Sequence, residues 1–89
     1  MAVYVDDFKG KFGRMIMSHM IADTTQELMD MVQAIGVHPK WIQKAGTYRE
    51  HFDICQSKCK LALAKGAIPI TWLELGRKII AKRKADSNG

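Results

Sequence analysis

The chain has little from which to build covalent or membrane-bound order. It has only two cysteines, Cys55 and Cys59, too few for a disulfide scaffold, so reduced thiols in a cytosol are the expectation. The longest mainly apolar run, Met15 to Ala22, falls far short of the roughly 20 residues that cross a bilayer. The start, Met-Ala-Val-Tyr-Val-Asp-Asp, lacks the cationic region of a signal peptide, so a soluble cytoplasmic protein is expected. Neither G-x-x-x-x-G-K-S/T nor the dinucleotide fingerprint occurs, and no nucleophile elbow is present. No internal repeat and no low-complexity segment interrupts the pattern.

What is there suffices for one small core. Eighty-nine residues, 47% hydrophobic, make a single domain over 1–84, with 85–89 expected as a frayed tail. A domain this small is marginally stable, which leaves room for a ligand or a second copy to contribute. The net charge is +5, and five cations with no acid lie between Arg77 and Lys84. Such a run suits a phosphate, nucleic acid or an acidic protein surface, and equally a solvated helix face.

The periodicities predict the order β-β-α-β-α-β-α. Ala2 to Val5 alternates as a strand, which adjacent carboxylates at Asp6 and Asp7 should end because they resist burial. Phe8 to Gly13 reads as a turn, and Arg14 to Ala22 as a strand covered on both faces, with Met15, Met17, His19 and Ile21 on one of them. Thr24 and Glu27 form a capping box ahead of the stripe Leu28, Met31, Val32 and Ile35, which Gly36 closes.

His38 to Glu50 follows as a loop held by Pro39, with Trp41 and Tyr48 as anchors. His51 to Ile54 is a third strand, and Ser57 to Lys65 a helix. Ala67 to Ile70 is a fourth strand, placed at an edge by Pro69. A second capping box, Thr71 and Glu74, opens a last helix with Trp72, Leu75, Ile79 and Ile80 as its buried stripe. Helices between strands imply crossovers, hence an α/β fold with a mixed or partly parallel four-stranded sheet and about three helices. In such sheets ligands gather beyond the carboxyl ends of the strands, here Asp6-Asp7, Asp23 and Asp53.

Polar residues at those ends are the candidates for chemistry. His51 and Asp53, two apart on a strand, point the same way. Ser57 and Lys58 follow at a helix start, where free N–H groups favour an anion, although Ser57 also fits a plain N-cap. His19, in the most hydrophobic strand, needs partners, with Asp6 and Asp23 the candidates. Asp6, Asp23 and Asp53 would hold Mg²⁺ or Mn²⁺ if the protein were an enzyme, with His19 or His51 as general base; otherwise no cofactor is expected. The loop Lys9-Gly10-Lys11-Phe12-Gly13-Arg14 offers cations such as Arg14 to a phosphate backbone and Phe12 to a base, or is simply a turn. His51, Cys55 and Cys59 lack the fourth ligand of a structural zinc site, and the cysteines fit better as apolar filling.

The segments Val3-Tyr4-Val5-Asp6-Asp7, Gly13-Arg14-Met15 and His19-Met20-Ile21-Ala22-Asp23 form a joint pattern with His51-Phe52-Asp53-Ile54, Ser57-Lys58, Ala62 and Gly66-Ala67. That pattern resembles an uncharacterised family of short bacterial and bacteriophage proteins, a domain of unknown function. Its members carry Y-V-D, an H-x-x-A-D element and H-Y-D followed by S-K; Phe52 stands where they carry Tyr. The resemblance transfers no activity, but it puts weight on Asp6, His19, Asp23, His51, Asp53 and Lys58. It also implies a bacterial cytosol or a phage-infected host.

Three functions follow as expectations. The first is a binding module for a phosphate-bearing ligand, a nucleotide (a host nucleotide signal, in a phage) or nucleic acid. Its residues would be Asp6, Arg14, His19, Asp23, His51, Asp53, Ser57 and Lys58. The second is a metal-assisted phosphodiesterase or nuclease. The third is a phage inhibitor that binds a host protein through Trp41, Tyr48 and the basic last helix.

Overall fold

A computed structural model describes residues 2–88, apart from the side chains of Phe12 and of residues 86–88. The expected stacking of a base on Phe12 therefore lies outside the described residues. The fold is mixed α/β, as expected, with strands β1 (Val3–Val5), β2 (Gly10–Phe12), β3 (Met15–Ala22), β4 (Phe52–Cys55) and β5 (Ile68–Pro69). The helices are α1 (Thr25–Ile35), α2 (Gln56–Ala64) and α3 (Trp72–Asn88), the last continuing into the segment expected as a tail. Among the described residues no helix is long and apolar enough to cross a membrane.

The register of β3 organises the sheet. Met17 pairs with both Gly10 and Cys55, and Met20 with both Val5 and Phe52. A strand has two edges, so β1 and β2 lie end to end along one edge of β3, with β4 along the other. β5 adds to β1 in parallel, at the outer position Pro69 requires. β2 is the strand that the turn expected over Phe8 to Gly13 concealed. It turns back through Gly13-Arg14, where Gly13 (φ 61°) takes the positive φ that a type II′ hairpin needs at its first central residue.

One sheet face packs Val3, Val5, Met20, Ala22, Phe52 and Ile54 under α1 and α2. α1 follows the sequence pattern: Thr24 accepts from the Glu27 N–H, Leu28, Val32 and Ile35 are buried, and Gly36 caps the end in the left-handed region. The other face is covered over only part of its area, where Ile21, Ile70 and Leu75 meet beneath α3. Strand β3 and helix α3 both depart from expectation. Met15 and Ile16 are exposed, so β3 is covered on both sides only in its second half, and Trp72 and Ile80 of the expected α3 stripe are exposed too. α3 lies over the β1 and β5 side of the sheet, from Asp7 beside Trp72 to the Ala22 carbonyl bound by Lys82, and leaves the β2 and β4 side of this face open.

The loop between α1 and β4 is anchored by an acid rather than by Trp41. Trp41, in a 3-10 turn over Pro39–Trp41, is exposed, while the buried Glu50 accepts from the Thr25 hydroxyl (2.7 Å) and the Gly46 N–H (3.1 Å). A cleft of about 460 Å³ runs between α1 and the β5 edge, away from every candidate residue but the cap partner Glu27.

Candidate functional site

The site follows from register. Val5 pairs with Met20, so the next pair outward is Asp6 with His19, joined by the Asp6 N–H donating to the His19 carbonyl at 3.0 Å. On the other edge His19 pairs directly with Asp53. Residues opposite one another in antiparallel strands project to the same face with Cβ atoms about 5 Å apart. Asp6, His19 and Asp53 therefore form one row across the sheet. His51, two residues before Asp53, extends it along β4, held by a bridge to Gln43.

Asp6 is the foundation. Its side chain is fully buried, contrary to the expectation that paired carboxylates would resist burial. Oδ1 accepts from the backbone N–H of His19 (2.9 Å) and of Phe8 (3.3 Å), and Oδ2 accepts a hydrogen bond from the His19 Nδ1–H at 2.7 Å. Those bonds satisfy the carboxylate in place of water. Asp7 alone behaves as expected: it is exposed, and it caps α3 by accepting the Trp72 N–H at 2.8 Å. The hydrogen bond to Asp6 holds the His19 pKa above its ordinary value of 6.5; burial works against this, and the charges of Asp6 and Asp53 assist.

On the other side of the row, the His51 Nδ1–H donates to the Arg49 carbonyl at 2.7 Å, and Gln43 Nε2 donates to Asp53 Oδ2 at 2.6 Å. Asp53 Oδ1 is buried with no hydrogen-bond partner. It lies 3.8 Å from His19 Nε2 and 3.5 Å from His51 Nε2.

Sequence reasoning missed the aromatics around this row. Phe8 stacks on the His19 ring (centroids 5.0 Å apart) and meets Trp72 at 5.8 Å, while His51 stands edge-on to His19 at 5.6 Å. Trp72, Phe8, His19 and His51 thus make a continuous strip of four rings. Gly10 gives Phe8 its place, since a Cβ there would lie 2.6 Å from the ring. Phe8 has the same strand parity as Asp6, which was the available signal.

Other candidates fall elsewhere. Asp23 sits at the opposite end of the sheet, because β3 runs antiparallel to β1. There it accepts from the Ala2 N–H (2.8 Å) and the Tyr4 hydroxyl (3.2 Å) instead of meeting His19. Helix α2 starts at Gln56 with Cys55 as N-cap, so Ser57 is no cap; its hydroxyl lies 3.3 Å from Cys55 Sγ. That contact, with backbone N–H groups of the helix start, lowers the Cys55 pKa. Lys58 turns under α1 and donates to the Ile35 carbonyl at 2.8 Å, on the other side of the sheet from His19. Arg14 is exposed in the β2–β3 turn. The cations expected to grip phosphate do not join the row.

Asp6, Asp23 and Asp53 likewise do not assemble into the expected metal set, and Cys59 is buried in the core on the far side from Cys55 and His51. As they stand, no three His, Cys, Asp or Glu side chains among the described residues are placed to hold a metal ion. Phe52 is wholly buried, so a hydroxyl there would not reach this face.

A family model for a protein of unknown function, DUF4031, matches residues 3–82. The chain belongs to the DUF4031 family. This agrees with the resemblance to an uncharacterised family, and the match runs from β1 well into α3. Comparison with curated proteins finds no match, and comparison with solved structures finds none. Within this DUF4031 domain, four of the weighted residues, Asp6, His19, His51 and Asp53, come together, while Asp23 and Lys58 support the scaffold.

Proposed function

We propose that this DUF4031 protein binds a nucleotide or a short single-stranded nucleic-acid segment on the open face of its sheet. The observation that carries this is the strip Trp72–Phe8–His19–His51, with Phe8 41% and Trp72 57% exposed beside polar imidazole edges. A flat base stacks on exposed rings whatever its identity, each such contact giving about 1–3 kcal/mol. His19, His51 and Asp53 then offer directed hydrogen bonds to base or sugar, and the chain's +5 charge draws the phosphates in. In a bacterial or phage-infected cytoplasm such a module would sequester a nucleotide signal.

Calorimetry with mono- and dinucleotides and short oligonucleotides tests this. Binding that falls about tenfold in Trp72→Ala and in Phe8→Ala is expected from the stacking energies. Absence of heat with every ligand would reject the reading.

A second reading, phosphodiester hydrolysis, draws on the Asp6–His19 pair, a carboxylate-oriented imidazole suited to general-base work. Turnover of an oligonucleotide with Mn²⁺, lost in Asp53→Asn, would favour it over binding alone.

A further inference from the structure

A count of protons at the centre of the row leaves a gap that a hydrogen bond does not fill. The His19 Nδ1 proton goes to Asp6 Oδ2, and the His51 Nδ1 proton to the Arg49 carbonyl. With each Nδ1 so engaged, Nε2 is the nitrogen of each ring left to coordinate, and it lies 3.8 Å (His19) or 3.5 Å (His51) from Asp53 Oδ1, which itself has no hydrogen-bond donor. Two ring nitrogens thus flank one buried carboxylate oxygen. Moving a proton in does not close the gap, because 3.5 and 3.8 Å are too long for an N–H···O bond.

The two Nε2–Oδ1 spacings are close to those of donors sharing a cation. With metal–ligand bonds of about 2.1 Å, neighbouring donors at angles of 90–120° sit roughly 3.0–3.6 Å apart. His51 Nε2 already satisfies this against Asp53 Oδ1, and His19 Nε2 needs to close by a few tenths of an ångström.

The surroundings agree. Metal-bound histidines usually donate the other ring N–H to a carboxylate or a backbone carbonyl, and ligating carboxylates are themselves hydrogen-bonded. Here Asp6 orients His19, the Arg49 carbonyl orients His51, and Gln43 orients Asp53. Each donor already has the partner that would hold it in a metal site.

We propose that His19 Nε2, His51 Nε2 and Asp53 Oδ1 bind one divalent transition-metal ion. Two imidazoles and one carboxylate select a borderline ion of the Zn²⁺ or Fe²⁺ kind over Mg²⁺ or Ca²⁺, which prefer oxygen alone. The three side chains are 19–32% exposed, so the remaining coordination positions lie toward the open face, although Asp53 Oδ1 itself is buried. A phosphate or water oxygen reaches the ion from there. The site stands on its own geometry, whether or not nucleotides bind.

The test is metal binding by the intact protein. Co²⁺ should bind one per chain with visible d–d absorption and no thiolate charge-transfer band, Zn²⁺ should displace it, and Mg²⁺ should not. His51→Ala and Asp53→Asn should each weaken Zn²⁺ at least tenfold. Asp6→Asn, a positioning change, should weaken it roughly 10- to 100-fold. Lys58→Met should leave it unchanged.

In the unmutated protein, Zn²⁺ should shift the Nε2 resonances of His19 and His51 and leave His38 in place, a readout independent of variant folding. Failure to bind Zn²⁺ and Co²⁺, binding indifferent to His51→Ala and Asp53→Asn, or a thiolate band that moves the ion to Cys55 would each overturn the proposal.

Discussion

Replacing Asp6 with alanine removes the one buried group on which the row rests. Two backbone N–H groups, of His19 and Phe8, and the His19 ring proton lose their acceptor together. An unpaired buried donor costs about 1–3 kcal/mol. The Phe8 bond is long, and His19, whose side chain is 25% exposed, lets water reach part of the vacated space, so the sum settles near 3 kcal/mol. Against the roughly 5–13 kcal/mol available to an 89-residue domain, that is a large share. Asp6→Asn keeps a carbonyl acceptor for one N–H and should lose about half as much.

The two variants also differ from the parent in pH dependence. The folded-state pKa of His19 is raised above 6.5, chiefly by the hydrogen bond to Asp6. Its contribution is therefore fully present below about pH 6.5 and is lost as pH rises through the folded value. The limiting slope is about 1.4 kcal/mol per pH unit for one proton. Without the Asp6 carboxylate the largest cause of the raised pKa is gone, burial opposes the remaining charge of Asp53, and the decline shrinks.

Urea unfolding of the metal-free protein at about pH 6 and pH 8.5 should then show a larger gap between parent and variant at the lower pH. A loss under 1 kcal/mol in Asp6→Ala, or an equal loss at both pH values, would refute the reasoning.

Gly10→Ala should displace the Phe8 ring, which a Cβ would meet at 2.6 Å, at small cost in stability because the ring can swing; loss of the ring-current shift on His19 in proton NMR reports it. Lys58→Met frees the Ile35 carbonyl at the end of α1 and should cost about 1–2 kcal/mol in urea unfolding without touching ligand affinity. Thr24→Ala deletes the N-cap of α1 and should cost about 1 kcal/mol in the same assay, with the site's histidine resonances unmoved.

Elements specified by neighbours along the chain were legible, and contacts specified by pairing were not. The cap Thr24, the stripe of α1 and Gly36 are local, and each stands where the sequence puts it. β2 lacks such a signal. Gly10-Lys11-Phe12 has no alternation of its own and becomes a strand only because β3 extends far enough to pair with it. Helix α2 begins one residue before its expected start, at Gln56, and Lys58 lies under α1, where the last helical carbonyls attract a cation.

The site illustrates the same division at higher stakes. Parity tells that His51 and Asp53 share a face, and that Asp6 shares one with Tyr4, but not which residues meet across the strands. A slip of one residue between β3 and either neighbour would turn Asp6 or Asp53 onto the core side, where Met20 and Phe52 now pack. The apolar residues therefore set the register: burying Val5 against Met20 and Phe52 against Met20 leaves Asp6 and Asp53 no place except beside His19. The polar centre is a by-product of where the core closes, which is why its geometry depends on residues that never touch a ligand.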